Sequence, residues 1–366
     1  MGNYLSLKSG LVGIMLSILG VGACSALTVS GTSITCSPSK KIQTIIDGVI
    51  SGTAATINVT GTCNENIYVP AGKTIYLVGQ SANQASSLLA SDGAYNAAYV
   101  SGFLQITNMT VSNSKGSASP IQADYGGTVV LAADIVTTSS ASQVIQLFNN
   151  SNVIIRNSRI TSSAEVQDKT VAADSNSSLT IVGNSNFVSG PDGYKTSISG
   201  KVDAVACGTG SSLGVFAVGT GKVLISKSMR GINVGSCSLT VENQTEDVAN
   251  IQIVGNSKAG LIAYNSSIQL KRATIASNTK GINSFMSKIV VVGVKFGGTL
   301  GANSVDISSG FDPTVEMDDF GGTTTFASVS SSSFRCHAGG KIYFDPAYVS
   351  PSLTSYVGDC LINVNP

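Results

Sequence analysis

Side chains that could carry out acid–base chemistry are scarce in this chain, and one group of them stands near its C-terminal end. Glu316 lies in a short apolar segment, and Asp318 and Asp319 follow directly. Paired carboxylates serve general acid–base catalysis, and Ca²⁺ prefers the same oxygen ligands. Glu316, Asp318 and Asp319 are therefore the candidate catalytic residues, and Asp318 with Asp319 form a candidate calcium site. The alternative is a solvated turn, a common position for Asp.

Two further positions are candidates for chemistry. Asp192 and Lys195 fall in a Gly- and Pro-containing stretch, which could be a binding loop or a simple type I turn. The single histidine, His337, stands beside Cys336 and is interpreted as structural. One histidine and no Cys-x-x-Cys spacing argue against a zinc site, so we expect no cofactor other than calcium at Asp318 and Asp319.

The elements that must position these residues are indicated by a recurring pattern, a small or polar pair followed by apolar–any–apolar. Copies start at residues 73, 102, 127, 151, 177, 211, 237, 266, 287, 313 and 340, about 27 residues apart on average, and such a period is typical of a solenoid. Because strand side chains alternate, the two apolar residues of each copy are expected to point inward. The alternative, a β-sandwich, would show hairpin turns about every 8–12 residues.

The residue between each inward pair is then expected to point outward along one sheet. Among these positions only Glu316 is ionisable, so this face is a poor place for acid–base catalysis, although it suits contact with sugars. The positions are Tyr76, Gln105, Val130, Ile154, Thr180, Gly214, Thr240, Gln269, Val290, Glu316 and Tyr343.

Asparagine recurs where the predicted turns follow the strands. Asn tolerates the left-handed conformation, and its amide can bond to the coils above and below, so these residues are predicted to form turn ladders. One of them, Asn265, also begins a glycosylation sequon. The residues are Asn157, Asn184, Asn256, Asn265 and Asn278.

The six cysteines beyond Cys24 fall into three pairs along the chain, and the members of each pair are about one coil apart. Residues one coil apart stack at strand spacing, about 4.8 Å, which falls within the Cα separation that a disulfide accepts. We therefore predict three disulfides between neighbouring coils, Cys36–Cys63, Cys207–Cys237 and Cys336–Cys360, separated by 27, 30 and 24 residues.

The N-terminal part predicts export followed by a capped solenoid. A basic flank, an apolar run and small residues make residues 1–26 a signal peptide. Residues 21–24 are also similar to a bacterial lipobox, in which Cys24 would be lipidated. Residues 27–366 are predicted as one domain, with a strand over 27–35 and a helical cap within about 36–52. Strands are then predicted over 56–59, 66–69 and 74–77, with turns at 61–64 and 70–72.

The segments Ile42–Asp47, Ile57–Val69 and Lys73–Gly79 resemble the opening of the right-handed parallel β-helix superfamily that includes pectate lyases. The resemblance implies an all-β, right-handed parallel β-helix with a short N-terminal capping helix. It does not choose an activity, because that superfamily holds lyases, hydrolases, adhesins and structural proteins. Its lyases use an Arg or Lys base beside calcium ligands. The further candidates are therefore Lys271 and Arg272, which follow a predicted strand, and Arg156, Arg159 and Arg230, expected on turns after other strands.

We therefore predict an exported, extracellular or cell-surface β-helix that is non-catalytic and acts as a polysaccharide-binding, adhesin-like or structural rod. The alternative is a polysaccharide lyase or glycoside hydrolase. The expected partners are a polysaccharide or cell-surface glycan, with self-association as a further case. The chain is 11% charged with a net charge of +1, so no nucleic-acid partner is expected, and membrane contact is expected only through a lipid anchor.

Overall fold

The computed structural model describes residues 28–80, 87–90, 93, 95–140, 143–164 and 168–310, and the strands at 314–317, 323–326, 334–337, 341–344, 349–350, 357–358 and 361–364. Asp318, Asp319, Cys360 and the predicted signal peptide with Cys24 lie outside these residues.

The chain winds through three parallel sheets, one strand of each sheet per turn, and forms a parallel β-helix of about 11 turns. Each strand pairs in parallel with the strand one turn earlier and one turn later, so the interior strands leave no open edge. The predicted solenoid is confirmed. Within the described residues, α1 (Ile42–Gly48) is the single α-helix, and a 3₁₀ turn covers Val248–Asn250.

The first sheet carries the recurring sequence pattern. Its strands are β1 (Thr28–Thr35), β2 (Ala54–Asn64), β4 (Thr74–Gly79), β7 (Phe103–Thr107), β10 (Thr128–Ala132), β13 (Asn152–Arg156), β16 (Ser178–Asn184), β19 (Ser212–Val218), β22 (Ser238–Asn243), β25 (Ser267–Lys271), β28 (Lys288–Val292), β31 (Thr314–Met317), β34 (Lys341–Phe344) and β37 (Leu361–Val364).

The second and third sheets complete each turn. Besides the end of β2, the second sheet contains β5 (Ser87–Ala90), β8 (Thr110–Asn113), β11 (Ile135–Thr138), β14 (Arg159–Ser162), β17 (Lys195–Ser199), β20 (Lys222–Ser226), β23 (Ile251–Val254), β26 (Thr274–Ala276), β29 (Lys295–Phe296), β32 (Thr324–Phe326) and β35 (Val349–Ser350). The third sheet contains β3 (Ile67–Val69), β6 (Ala98–Val100), β9 (Ile121–Ala123), β12 (Ile145–Leu147), β15 (Lys169–Ala173), β18 (Asp203–Cys207), β21 (Arg230–Gly235), β24 (Ala259–Tyr264), β27 (Lys280–Phe285), β30 (Val305–Gly310), β33 (Phe334–His337) and β36 (Val357–Gly358).

The core is a continuous aliphatic column between the three sheets. The inward pairs of the sequence pattern are buried wherever the structure describes their side chains, and Val153, Ile155, Leu179 and Ile181 have no solvent exposure. Their neighbours one turn away stand in direct register, so like side chains stack on like along the column. Burial of each such side chain stabilises the fold by roughly 1.5–3 kcal/mol.

The first coil differs from the prediction. Residues 61–64, predicted as a turn, continue β2, which pairs with β4 in the first sheet and then with β5 in the second. Gly61 has a φ of 78°, a conformation that glycine adopts readily, so the strand turns the corner without ending. A glycine-containing run therefore marks a bend here rather than a break.

Helix α1 covers the first coils as predicted, with Ile42 and Ile46 fully buried. Its N-terminus is not capped by the nearby serines. Both oxygens of the buried Glu65 carboxylate accept hydrogen bonds from helix amides, Oε1 from the Ile42 N–H at 2.8 Å and Oε2 from the Gln43 N–H at 3.0 Å. The cap comes from a neighbouring coil, so local sequence did not reveal it.

Two of the three predicted disulfides are formed. Cys36–Cys63 and Cys207–Cys237 have Cα–Cα separations of 5.0 and 5.9 Å. Each joins neighbouring coils, as the one-coil spacing predicts. Cys336 lies in β33, but its partner Cys360 is outside the described residues, so the third pair remains a prediction.

Buried asparagines form a ladder at the corner between the second and third sheets. The Asn278 Oδ1 atom accepts hydrogen bonds from the Asn256 N–H at 3.0 Å and the Asn256 side-chain amide at 3.1 Å. Asn303 repeats this arrangement for Asn278 one coil further on. At the corner between the first and second sheets, the Asn157 Oδ1 atom accepts a hydrogen bond from the Asn184 N–H, and the Asn157 side-chain amide donates to the Asn184 carbonyl. Asn265 instead lies exposed at the corner between the third and first sheets, with a φ of 46°.

Candidate functional site

The predicted outward column of the first sheet is present in register, and it is nearly free of unpaired charge. Thr180, for example, stands between Ile154 and Gly214. Glu316 lies in this column, where its Oε2 atom is 3.1 Å from the Lys288 Nζ atom. Glu316 is therefore ion-paired and partly exposed, and its proposed partners Asp318 and Asp319 lie outside the described residues. The catalytic and calcium predictions therefore remain untested.

The loop that carries Asp192 folds back on the corner between the first and second sheets. Arg159 makes an ion pair with Asp192, whose Oδ2 atom also accepts a hydrogen bond from the Ser197 hydroxyl at 3.0 Å. The Arg159 hydrogen bond holds the pKa of Asp192 below its usual range. Gly190 and Gly193 close a tight turn through two backbone hydrogen bonds. These contacts favour the turn interpretation over a binding loop.

Another carboxylate with a shifted pKa lies inside a turn. The fully buried Asp134 carboxylate accepts hydrogen bonds from the Met109 and Ala132 amides, both at 2.8 Å. Burial raises the pKa of Asp134 to about 8. Because the group has no solvent exposure, we assign it a structural role at the corner between the first and second sheets.

The outer face of the third sheet holds a fixed charged cluster. The Asp203 carboxylate is fully buried and pairs with the Arg230 guanidinium, whose Nη2 atom lies 3.1 Å from Oδ2. The Asn233 amide donates to the same oxygen at 2.8 Å. Burial raises the pKa of Asp203, while Asn233 and Arg230 act in the opposite direction. Arg230 begins β21, Arg159 begins β14 and Arg156 ends β13, so the predicted turn location is corrected for all three.

A cleft of about 210 Å³ lies beside this cluster. Its floor is made of small residues, and at Gly208 an added Cβ atom would stand 2.8 Å from the Asp174 Oδ1 atom. Gln143 also lines the cleft, and its buried Oε1 atom has no hydrogen-bond partner among the described residues. The cleft is lined by Gln143, Phe148, Lys169, Ala172, Ala173, Asp174, Ala206, Cys207, Gly208, Asn233 and Gly235.

Exposed aromatic side chains stand on both sides of the cleft along the same sheet. On the N-terminal side, the Tyr68 and Tyr99 ring centroids are 5.7 Å apart, and both residues line an open depression of about 400 Å³ together with Tyr95. On the C-terminal side, Tyr264 stacks on Phe285 with centroids 4.9 Å apart. From Tyr68 in β3 to Tyr264 in β24 the chain makes seven turns, roughly 34 Å at strand spacing.

Residues between the aromatic groups follow one column of the third sheet, which we call the third-sheet strip. It presents aromatic rings, then amides, then the small residues that form the floor of the cleft, and then an amide again. In register order the strip is Tyr68, Tyr99, Gln122, Gln146, Ala172, Ala206 and Asn233. Tyr264 lies in the neighbouring outward column, in register with Gly235, because the β24 residue opposite Asn233 is the buried Ile262. The Tyr99 hydroxyl donates a hydrogen bond to Asp124 at 3.2 Å, and burial together with that carboxylate raises the pKa of Tyr99 to about 12.

The third-sheet strip was not identified from the sequence. The recurring pattern marks only the first sheet, and the strip residues lie in segments without a common motif. One signal was present, because Asp203 and Arg230 are 27 residues apart, one coil, and opposite charges at that distance can stack on neighbouring strands.

Among the described residues, Cys36, Cys63 and Glu65 form the one cluster with the composition of a metal site. The two cysteines are joined to each other and the glutamate caps α1, so these groups are already occupied. No helix in the described part of the chain is long and apolar enough to cross a membrane.

Comparisons with known proteins give one structural likeness. No protein-family profile matches the sequence, and no curated protein matches it. Among solved structures, the full-length tailspike protein 2 from Escherichia coli O157:H7 bacteriophage CAB120 is similar, with 10% sequence identity and a TM-score of 0.46. The alignment covers 92% of this chain and 42% of the tailspike chain, so this chain spans less than half of the tailspike's length.

Proposed function

We propose that this protein is an exported, non-catalytic β-helix that binds a polysaccharide along the third-sheet strip. The observation that carries the proposal is the arrangement of exposed tyrosines on both sides of a polar cleft on one sheet face. Exposed aromatic groups rimmed by polar residues are typical of interaction sites.

The chemistry of the strip suits a sugar chain. A pyranose ring has apolar C–H faces that can lie on the Tyr68 and Tyr264 rings, and equatorial hydroxyls that can bond to amides. Tyr68 is 46% exposed and Tyr264 42% exposed, so both rings are accessible. The unpaired Gln143 Oε1 atom in the cleft is an acceptor that a sugar hydroxyl would satisfy.

The strip is also extended enough for a polymer. A chain lying along the helix axis would contact the two aromatic groups roughly 34 Å apart at the same time. Once one part of the polymer is bound, its other parts are held at a high effective concentration near the remaining contact sites, so several weak contacts together give tighter binding. A polymer should therefore bind more tightly than its short fragments.

Export is part of the proposal, and the two disulfides support it. The disulfides Cys36–Cys63 and Cys207–Cys237 form readily in oxidising compartments and are rare in reducing ones. The signal peptide over residues 1–26, the lipidation of Cys24, membership of the pectate-lyase-like superfamily and self-association as a rod remain predictions. The extracellular or cell-surface location depends on the predicted signal peptide and on whether Cys24 is lipidated.

Non-catalytic binding is preferred over lyase or hydrolase activity because the described carboxylates near the cleft have structural partners. Asp203 is held by Arg230 and Asn233, and Asp174 accepts a hydrogen bond from the Ser175 N–H at 2.8 Å. A fixed, paired carboxylate is a poor proton donor to a ligand.

The test is a panel of neutral and acidic polysaccharides, each with and without calcium, read for retention and for unsaturated or shortened products. We expect retention of at least one polymer without cleavage. Tyr68→Ala with Tyr264→Ala should weaken that retention, whereas Tyr194→Ala, an exposed tyrosine on the loop at another corner, should not. Cleavage of any member, or equal retention by all variants, would contradict the proposal.

A further inference from the structure

The corner between the second and third sheets beside the cleft carries a concentration of positive charge. In the coils from residue 168 to residue 280, which the structure describes without a gap, this corner comprises 168–169, 200–203, 227–230, 255–259 and 277–280. It holds two acidic residues, Asp168 and Asp203. Its cationic residues, which we call the cationic edge, are Lys169, Lys201, Lys227, Arg230, Lys258 and Lys280.

Backbone hydrogen bonds place these residues on consecutive turns. The Met229 N–H donates to the Lys201 carbonyl at 3.1 Å, and the Lys258 N–H donates to the Met229 carbonyl at 2.8 Å. The Lys280 N–H donates to the Lys258 carbonyl at 2.9 Å. The cationic edge therefore runs parallel to the helix axis, over roughly 19 Å from β15 to β27.

Both acidic residues of these segments lie beside a cation of the same corner. Asp203 is buried and already paired with Arg230, and the Asp168 carboxylate is 3.9 Å from Lys169. Lys201, Lys227 and Lys258 are exposed. Counting Glu165, which precedes Asp168 between β14 and β15 in the sequence, six cationic and three acidic residues give a net charge of +3, although the whole chain carries only +1.

The surroundings of two parts of the cationic edge show that positive groups lie close together there. Burial and the neighbouring Arg335 lower the pKa of Lys280. Lys201 and Lys227 also line an open depression of about 350 Å³ with Ser162, Ser163 and Ser199. Hydroxyl donors beside ammonium groups suit a tetrahedral oxyanion.

We propose that the cationic edge binds sulfate or phosphate ester groups of an anionic polysaccharide that lies along the third-sheet strip. The inference rests on the proposed polysaccharide-binding function and specifies its ligand chemistry. The exposed cations are lysines, which act as point charges toward such groups. The guanidinium that could hold a planar carboxylate in a bidentate manner, Arg230, is engaged by Asp203.

The probes are dextran sulfate, neutral dextran of the same length, polygalacturonate and duplex DNA. We expect dextran sulfate to bind most tightly, with affinity that falls steeply between low and high salt, since screening acts over about 10 Å at 0.1 M salt. Binding should be constant from pH 5 to pH 8, because neither a sulfate ester nor an exposed lysine titrates there.

The variant is Lys201→Gln with Lys227→Gln and Lys258→Gln. Each exposed lysine near an anionic surface contributes about fivefold, so the triple variant should bind dextran sulfate roughly 100-fold more weakly. The matched control is Lys195→Gln with Lys222→Gln and Lys295→Gln. It removes the same charge from the first residues of three second-sheet strands, at the ends away from the cationic edge. The control should keep wild-type affinity.

Each result bears on one proposal. Equal weakening in the two triple variants, stronger binding to polygalacturonate or DNA, or indifference to sulfation would overturn the role of the cationic edge. The tyrosine variants test the third-sheet strip separately with neutral polymers. Loss of neutral binding in those variants with unaltered dextran sulfate binding in the lysine variant would retain the proposed function and reject this inference.

Discussion

Removing the Arg230 side chain should expose how the charged cluster under the third-sheet strip is held together. In Arg230→Met, the fully buried Asp203 carboxylate keeps the Asn233 hydrogen bond but loses its cation. Loss of one partner of a buried pair costs about 3–5 kcal/mol. Because the Arg230 side chain is 27% exposed and Asn233 remains, we expect a loss of about 2–3 kcal/mol in the free energy of unfolding.

The loss of stability in Arg230→Met should depend on pH, and its direction follows from the pKa of Asp203. Burial places the folded-state pKa of Asp203 above its ordinary value. The contribution of the Asp203 carboxyl group to the free energy of unfolding is therefore complete below its unfolded-state pKa, about 3.9. This contribution is lost as the pH rises through the folded-state pKa. Removal of Arg230 raises that pKa further, so the variant should be closer to wild type at pH 4 than at pH 7.

The assay is urea unfolding at both pH values, combined with hydrogen exchange of the amides in β18 and β21, because coils of a solenoid can open locally. Two controls accompany it. Arg230→Lys keeps the charge, and Asp203→Asn combined with Arg230→Met removes the buried carboxylate. The double variant should recover about half of the loss or more. An equal loss at pH 4 and pH 7, or no recovery in the double variant, would refute the reasoning.

Three further predictions concern the scaffold. Asp134→Asn should flatten the pH dependence of stability, because a carboxyl with a pKa of about 8 stabilises the fold fully below its unfolded pKa and less as pH rises through about 8; urea midpoints from pH 5 to pH 9 measure this. Asn278→Ala should cost about 3 kcal/mol, since Asn256 loses an acceptor inside the core, and exchange of the Asn256 amide should accelerate. Cys207→Ser with Cys237→Ser should cost about 3–4 kcal/mol for a loop of 30 residues, as read from the urea midpoint, with unchanged parallel register.

The fold could be predicted from the sequence because one periodic signal encodes it. The inward pairs, such as Val153 with Ile155, must be apolar in every coil, and their spacing fixes the stacking that also places Cys207 near Cys237. The first coil was partly mispredicted, because a strand that bends at Gly61 has the same composition as a turn.

The candidate site was less accessible to sequence reasoning. The first sheet was expected to present the contact face, but the exposed aromatic groups and the cleft lie on the third. Which outward residues stand side by side there depends on corner lengths that vary from coil to coil, such as 200–202 against 255–258. The clustering of the lysines could not be predicted from the net charge of +1 either. These lysines are distant in sequence and become neighbours only on consecutive turns of the folded β-helix.

The shared strand β2 has a mechanical consequence. Because β2 belongs to two sheets and Cys63 within it is linked to Cys36, a tensile load applied near Thr28 is carried into both walls of the first coil. Hydrogen bonds pulled along parallel strands are sheared together rather than unzipped singly. Unravelling from this end should therefore begin only at high force or after reduction of Cys36–Cys63.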